Sequence, residues 1–289
     1  MTVYADLLRY RDLFANLFRR DLQAKYKGSA LGVLWTLANP LLLMGIYLVV
    51  FPTLWKARFA QLDHYPLFLL TGLAPWVFFS TALQSASRSM LDNANLIKKT
   101  RFPRQLVPLS VVAAHLVSYG VMLVLLLALD FALLPRVRVT EWLALPLAGL
   151  LVCLVGGLAL AIASLNVVFR DVEHIVAALL LPWFFLTPII YTFRDIEFLV
   201  AALLLPLFFL TPVLYPLSSP NISKHHKVVE AIHWVNPLSP AIEALRDPLF
   251  YGRLPRVADV IYLVVAAVVA LALGAFVFTR VDDQIAVEV

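Results

Sequence analysis

The side chains that could do chemistry in this chain are few and widely scattered. His115 and Asp130 lie inside an otherwise apolar stretch, 106–134. Ionisable residues buried in such a stretch mark ion paths or proton relays by default. Asp130 falls near one end of the stretch, which favours an interfacial position. His115 has no carboxylate close to it in sequence, and a lone histidine in mid-span suits a helix-packing hydrogen bond better than a relay. His225, His226 and His233 form a loose group without metal-ligand spacing, so no metal site is expected. Glu243 and Arg246, three residues apart, can pair on one helix face. No G-x-x-x-x-G-K-[ST], H-E-x-x-H or G-x-S-x-G pattern occurs, and no Gly-Lys dipeptide exists at all. The sequence therefore predicts no catalytic residue, no nucleotide site and no cofactor on this chain.

The elements that carry these residues are membrane spans. Hydrophobic residues make up 62% of the 289 and charged residues 14%, against about 25% charged in soluble domains. Mean hydropathy is +0.88. The apolar runs recur along the whole length, so an all-α polytopic membrane protein is predicted rather than one with a single anchor. No secretory leader is expected. The lone Cys153 excludes an intrachain disulfide.

Apolar runs place spans at about 31–54, 66–87, 106–134, 142–168, 172–191 and 260–279. Residues 1–28 hold six Lys and Arg, 55–65 two, 88–105 five and 135–141 two. That alternation puts the N-terminus and the 88–105 loop in the cytoplasm. It also accounts for the net charge of +5 without nucleic acid as a partner.

One feature disturbs the count. Residues 169–192 and 193–216 are consecutive copies of a 24-residue unit, identical at 17 positions. Each has an Arg-Asp-x-Glu head, an uncharged run and a Thr-Pro-x-x-Tyr end. If both copies crossed, everything downstream would change sides. Pro206 and Pro212 in the second copy disfavour a straight span. The preferred reading is six spans, with 193–256 as an outer re-entrant region; the alternative is a seventh span that leaves the C-terminus outside.

Three other segments suggest function. Leu7, Phe14, Leu17 and Phe18 fall on one face of a helix over 6–23, an amphipathic interface element. In 88–105, apolar Leu96, Ile97 and Phe102 sit among Lys98, Lys99 and Arg101 ahead of Pro103; a short helix exposing them would suit a pocket on a soluble partner. The aromatics Trp35, Trp76, Phe78, Phe79, Trp183 and Phe184 lie in or near the spans. They serve as packing and belt residues, or as rings lining a path for a sugar chain.

Taken together, the chain resembles the ABC-2 type permeases, and within them the branch that exports lipid-linked polysaccharides such as O-antigen and teichoic acid. The residues that carry the resemblance are Arg20-Asp21-Leu22 through Lys25-Tyr26-Lys27-Gly28-Ser29-Ala30-Leu31-Gly32 to Trp35, then Asn39-Pro40, and Gly72-Leu73-Ala74-Pro75-Trp76. Asn95-Leu96-Ile97-Lys98-Lys99 with Phe102-Pro103-Arg104 follow, then Leu165-Asn166 to Arg170-Asp171 with Thr187-Pro188-Ile189-Ile190-Tyr191, and Asn236-Pro237 with Arg246. The order covers nearly the whole chain, 1–289, as one transmembrane domain.

The resemblance implies a homodimeric pore with six helices per subunit in the bacterial plasma (inner) membrane, driven by two copies of a separate ABC ATPase that holds ATP and Mg. It maps 1–28 to a cytoplasmic interface helix and 88–105 to a coupling loop. It maps 193–256 to outer gate helices, with Phe208, Phe209, Pro212, Tyr215, Asn236 and Pro237 at the gate, and 257–289 to the last span and cytoplasmic tail. Arg20, Arg170 and Asp171 would meet the headgroup of a lipid-linked glycan at the cytoplasmic face, within a surround of membrane lipids. A drug or small-lipid exporter shares the implied fold. An integral-membrane glycosyl or acyl transferase would need clustered acids or histidines that are not found.

Overall fold

The computed structural model describes residues 4–27, 65–99, 102–133, 140–187 and 234–288, with isolated residues between 35 and 46. Most of the first span, Arg101 and the second repeat copy, with Phe208, Phe209, Pro212 and Tyr215, lie outside the described residues.

The described residues form an all-α bundle: α1 (Ala5–Arg9), α2 (Arg11–Tyr26), α3 (Tyr65–Asp92), α4 (Ala94–Lys99), α5 (Leu106–Leu133), α6 (Ala144–Val168), α7 (Val172–Leu186), α8 (Leu238–Arg246) and α9 (Val257–Glu288). Four stretches are long and apolar enough to cross a membrane: Leu67–Asp92, Leu106–Ala132, Glu141–Val168 and Val257–Asp282. Val172–Phe184, in α7, is apolar but shorter. The chain is thus a polytopic helical membrane protein.

Helices span lipid because they satisfy their own backbone. The hydroxyls of α3 follow the same rule. Ser80 donates to the Trp76 carbonyl at 2.9 Å, Thr81 to Val77 at 2.6 Å and Ser89 to Ala86 at 2.7 Å. α3 is the central element, with Phe68, Leu69, Leu70, Leu73 and Phe79 all fully buried. α5 and α9 instead expose wide apolar faces, with Val124 and Phe131 on one and Val265, Val268 and Phe276 on the other. Residues of this type on the outside of a bundle belong against lipid or a neighbouring subunit.

α6 and α9 meet through small residues. A Cβ placed on Gly157 would land on the backbone of Ala270, and one on Gly274 would land on the backbone of Gly157. Small residues four apart let two helix backbones touch, so dispersion acts over the whole crossing.

The ends of the helices settle which segments lie together. Trp183 and Thr187, at the end of α7, bond to Asn236, at the start of α8. The residues flanking 188–233 therefore meet, and α9 departs from the end of the bundle where α7 arrives. At the far end of α9, Asp282 pairs with Arg104. The C-terminal helix thus finishes beside the 88–105 segment.

Candidate functional site

At the end of the bundle where α4 lies, hereafter the inner end, α3 stops at Asp92 and the chain turns through Asn93 into α4. Asn93 Nδ2 donates to the Ser89 carbonyl at 2.7 Å and closes that turn. α4 carries two apolar residues, and both face the protein. Ile97 is buried and shares an apolar cluster with Met90, Val167, Phe278 and Ile285. Leu96 packs with Leu17, Leu106 and Val107, and Phe102 borders both clusters. The expectation that this helix exposes Leu, Ile and Phe is therefore corrected. Apolar side chains beside an apolar seat bury there first, at about 25 cal/mol per Å² removed from water. The exposed side of α4 is Asn95, Lys98 and Lys99. Pro103 begins the turn into α5.

The N-terminal helix lies along the bundle. Leu17 is buried against Leu106 and Val107, with Leu7 and Phe14 beside it; Phe18 is half-buried. Farther along α2, Asp21 accepts from Ser110 at 2.7 Å, and Lys25 donates to Ser118 at 2.7 Å and lies 3.3 Å from His115 Nδ1. The second half of α2 thus climbs α5 instead of standing off from it.

Between α2, α3 and α5 opens a cleft of about 570 Å³, lined among others by Arg20, Asp21, Lys25, Ser85, Asp92 and His115. Arg20 pairs with Asp21 at 2.8 Å. Burial pushes the Lys25 ammonium below its usual range. His115 Nε2 lies 3.0 Å from Ser85 Oγ, so the histidine links helices through hydroxyl and amine partners. Its neighbours are those of a packing histidine, as its sequence position indicates. Arg170 and Asp171 are exposed on the turn between α6 and α7 and do not line this cleft; the structure brings Arg20 and Arg170 to different places.

Four of the singled-out aromatics form one block. Trp76 meets Phe184 edge-on at 5.3 Å and Phe79 at 5.8 Å, and Trp183 meets Phe79 edge-on at 5.2 Å. Phe78 stacks on Tyr119 at 5.1 Å. Trp76, Phe78, Phe79 and Phe184 are all buried inside the protomer. They would meet a lumen only if the helices parted. Trp35 is exposed.

Asn236 ties this block to α8. Its Oδ1 accepts from Trp183 Nε1 at 2.7 Å and from the Leu238 amide at 3.1 Å, and its Nδ2 donates to Thr187 Oγ1 at 3.0 Å. Pro237 then opens α8, whose Leu238, Ala241, Ile242 and Leu245 are fully buried or nearly so. α8 runs from the aromatic block to Phe68 and Thr71, at the outer end of α3. There Arg246 is fully buried. Its guanidinium pairs with Glu243 at 3.0 Å, lies 3.9 Å from the Phe68 ring centre and reaches Thr71 Oγ1 at 3.4 Å. A wider π turn, Asp247–Tyr251, follows. It ends at Gly252, whose φ of 62° is the left-handed conformation that glycine takes without strain. Arg253 folds back onto Asp247 at 2.7 Å.

Sequence reasoning passed over Asn166 and Asp282. Asn166, fully buried, donates to the Ser87 carbonyl at 2.9 Å and accepts from the Glu173 amide at 2.9 Å, in the first turn of α7. It stood in the quoted Leu165-Asn166 pair, and a buried amide between two spans was the available signal. Asp282 gave no signal, because its partner Arg104 lies 178 residues away. Among the described residues, no group of three or more His, Cys, Asp or Glu is placed to hold a metal.

A helical bundle of this kind, with a short helix clasped at one end and a buried short helix toward the other, defines a polytopic membrane protein. The ABC-2 type transporter family pattern matches residues 12–201. The chain belongs to that family and is a transport subunit. It is 38% identical over 188 residues, 64% of this chain and 70% of the relative, to the O-antigen export system permease protein RfbA of Myxococcus xanthus. An O-antigen export system permease protein RfbA of Klebsiella pneumoniae is 34% identical over 181 residues, 62% of this chain and 69% of the relative. The polysialic acid transport protein KpsM of Escherichia coli is 24% identical over 180 residues, 61% of this chain and 68% of the relative. Membership implies an ABC ATPase as partner.

Proposed function

We propose that this chain is the permease subunit of an ATP-driven exporter that moves a lipid-linked polysaccharide, of the O-antigen or teichoic acid kind, out across the bacterial inner membrane. The observation that carries the reading is the 38% identity to an O-antigen export permease over 70% of that protein. The working unit is a homodimer with two ATPase subunits, which hold the ATP and Mg. The N-terminus and the 88–105 segment face the cytoplasm.

In this reading ATP binding moves the ATPases, and α4 receives the motion. Its exposed Lys98 and Lys99 form the docking side, while Ile97 anchors the helix in its own bundle. Arg20 beside the cleft, and Arg170 on the α6–α7 turn, supply charge and donors for an anionic headgroup at the cytoplasmic face, and Asp171 offers an acceptor to the sugar hydroxyls next to it. The aromatic block parts to admit sugar rings, whose CH faces stack on aromatic faces. α8, with Asn236 and Pro237, closes the outer side. The buried position of α8 and its clasp to α7 support an inward-dipping element in the 193–256 region.

Deletion of the gene followed by complementation tests this. Surface polysaccharide, labelled by periodate oxidation and a hydrazide dye, should vanish on deletion and return with the wild-type chain. Lipid-linked glycan should accumulate inside the deletion strain. Unchanged surface polysaccharide together with new sensitivity to toxic small molecules would instead mark a drug or small-lipid exporter.

A further inference from the structure

The inner end of α9 is the floor on which the coupling segment rests. Ile97 shares an apolar cluster with Phe278 and Ile285 of α9, and Phe102 and Val281 border it. Two residues beyond Phe102, Arg104 Nη1 donates to Asp282 Oδ1 at 3.0 Å and also to the Asp282 backbone carbonyl. Gln105 Nε2 donates to Asp6 Oδ2 at 2.7 Å, and the Tyr4 hydroxyl donates to the Leu271 carbonyl at 2.7 Å. These bonds close a ring from α9 through the coupling segment and α1 back to α9.

The Arg104–Asp282 pair adds little to stability. The two side chains are 24% and 45% exposed, and partly exposed pairs contribute about 0–1 kcal/mol. What the pair does is fix position. α9 runs unbroken from Val257 to Glu288, 32 residues, a rod of roughly 48 Å at 1.5 Å per residue. It packs along α6, with backbone contact at Ala270 and Gly274, and at its inner end Phe278 and Ile285 share their cluster with Leu160, Ala163 and Val167 of α6, so the two helices move as one body. The outer part of α9 packs on α8.

On the export reading above, we propose that Arg104 and Asp282 are positioning residues of a clip that makes α9 follow the coupling segment, so that α9, moving with the α6 it packs on, carries ATPase motion to α8. The apolar seat of Ile97 supplies grip, and the clip supplies direction along α9.

Two measurements on the full chain assembled with its ATPase test the proposal. In the first, Arg104→Ala, Asp282→Asn and the exchange Arg104→Asp with Asp282→Arg are expressed in the deletion strain. The single variants should assemble and hydrolyse ATP near the wild-type rate. Their periodate-labelled surface polysaccharide should fall about threefold to tenfold, the range of a one-step coupling loss. The exchange should recover at least half of the loss. Wild-type export in both single variants, or an exchange no better than the singles in an intact complex, overturns the clip.

The second measurement needs no glycan. Spin labels at Asn95→Cys and Gln284→Cys, with Cys153→Ser, report the separation of α4 and α9 with and without ATP. The separation should hold constant in the otherwise wild-type chain and should shift or broaden once Arg104→Ala is added. An identical response in both overturns the clip. A clip seen by spin labels in a chain that restores no surface polysaccharide would refute the export reading alone.

Discussion

The two ends of this bundle are held by different physics. At the outer end, Arg246 is fully buried and has three partners, Glu243, Phe68 and Thr71. Asn236 there makes three hydrogen bonds at once. At the inner end, the ion pairs are partly exposed, and the 570 Å³ cleft opens beside them. A buried charge with several partners is costly to disturb, because each lost partner leaves a desolvated group behind. A half-exposed pair exchanges partners with water at little cost. The outer end is therefore built to be either closed or rearranged as a whole, and the inner end to shift by degrees. That division suits a transporter whose motion enters at one end and whose seal lies at the other.

The contact joining the two ends should be the most sensitive. Gly157→Val puts a branched side chain into the backbone of α9 at Ala270. Neither helix can yield locally, so the pair must separate, and the lost α6–α9 packing adds to the roughly 1–3 kcal/mol of ordinary overpacking. We expect failure to accumulate folded protein, or a large drop in melting temperature in detergent. Wild-type melting would show that α6 and α9 do not touch as described, and the path from the clip to α8 would lose its support.

Arg246→Ala comes next. Removing the guanidinium takes the ion-pair partner from Glu243 and leaves a void beside Phe68. Breaking a buried pair costs about 3–5 kcal/mol. Arg246→Met, which fills the space, should recover part of that. If thermal melting shows a loss below about 1 kcal/mol, the size of an exposed pair, the outer end is not locked in the sense argued here.

Asn166→Ala probes a fully buried polar contact near the inner end. It frees the Ser87 carbonyl and the Glu173 amide together. The expected cost is about 1–3 kcal/mol, that of an unsatisfied buried group. Asn166→Asp should be worse still, since a carboxylate cannot donate to Ser87. An unchanged melt for Asn166→Ala would mean that the α3–α7 contact rests on apolar packing alone.

Much of this arrangement was legible in the sequence, and for identifiable reasons. The uncharged runs at 66–87 and 142–168 gave α3 and α6 because lipid permits few alternatives. The Lys and Arg alternation put Arg104 on the side where the structure finds the end of α9. What stayed hidden depends on contacts distant in sequence. Hydrophobicity alone could not show whether Ile97 faces a partner or its own bundle, since either burial satisfies it. Trp76 and Trp183 read equally well as belt, lining or core, and only their 107-residue separation closing onto Phe79 and Asn236 decides for the core. The two repeat copies, alike in letters, carry no local signal that separates their places, and the second lies outside the described residues.

The smallest effect should come from Arg88→Ala. Arg88 reaches Glu173 at 3.1 Å from the end of α3 to the start of α7, with side chains 60% and 24% exposed. It spans the same two helices as Asn166, one layer farther toward solvent. The pair should contribute about 0–1 kcal/mol and weaken further in high salt. In a double-mutant cycle with Glu173→Gln, the coupling should fall well under the cost of Asn166→Ala. A coupling as large as the Arg246 loss would erase the contrast between the ends, because it would make the inner surface as tightly held as the outer core. A small, salt-sensitive value would instead show that α3 and α7 are pinned by Asn166 and left free to adjust around it.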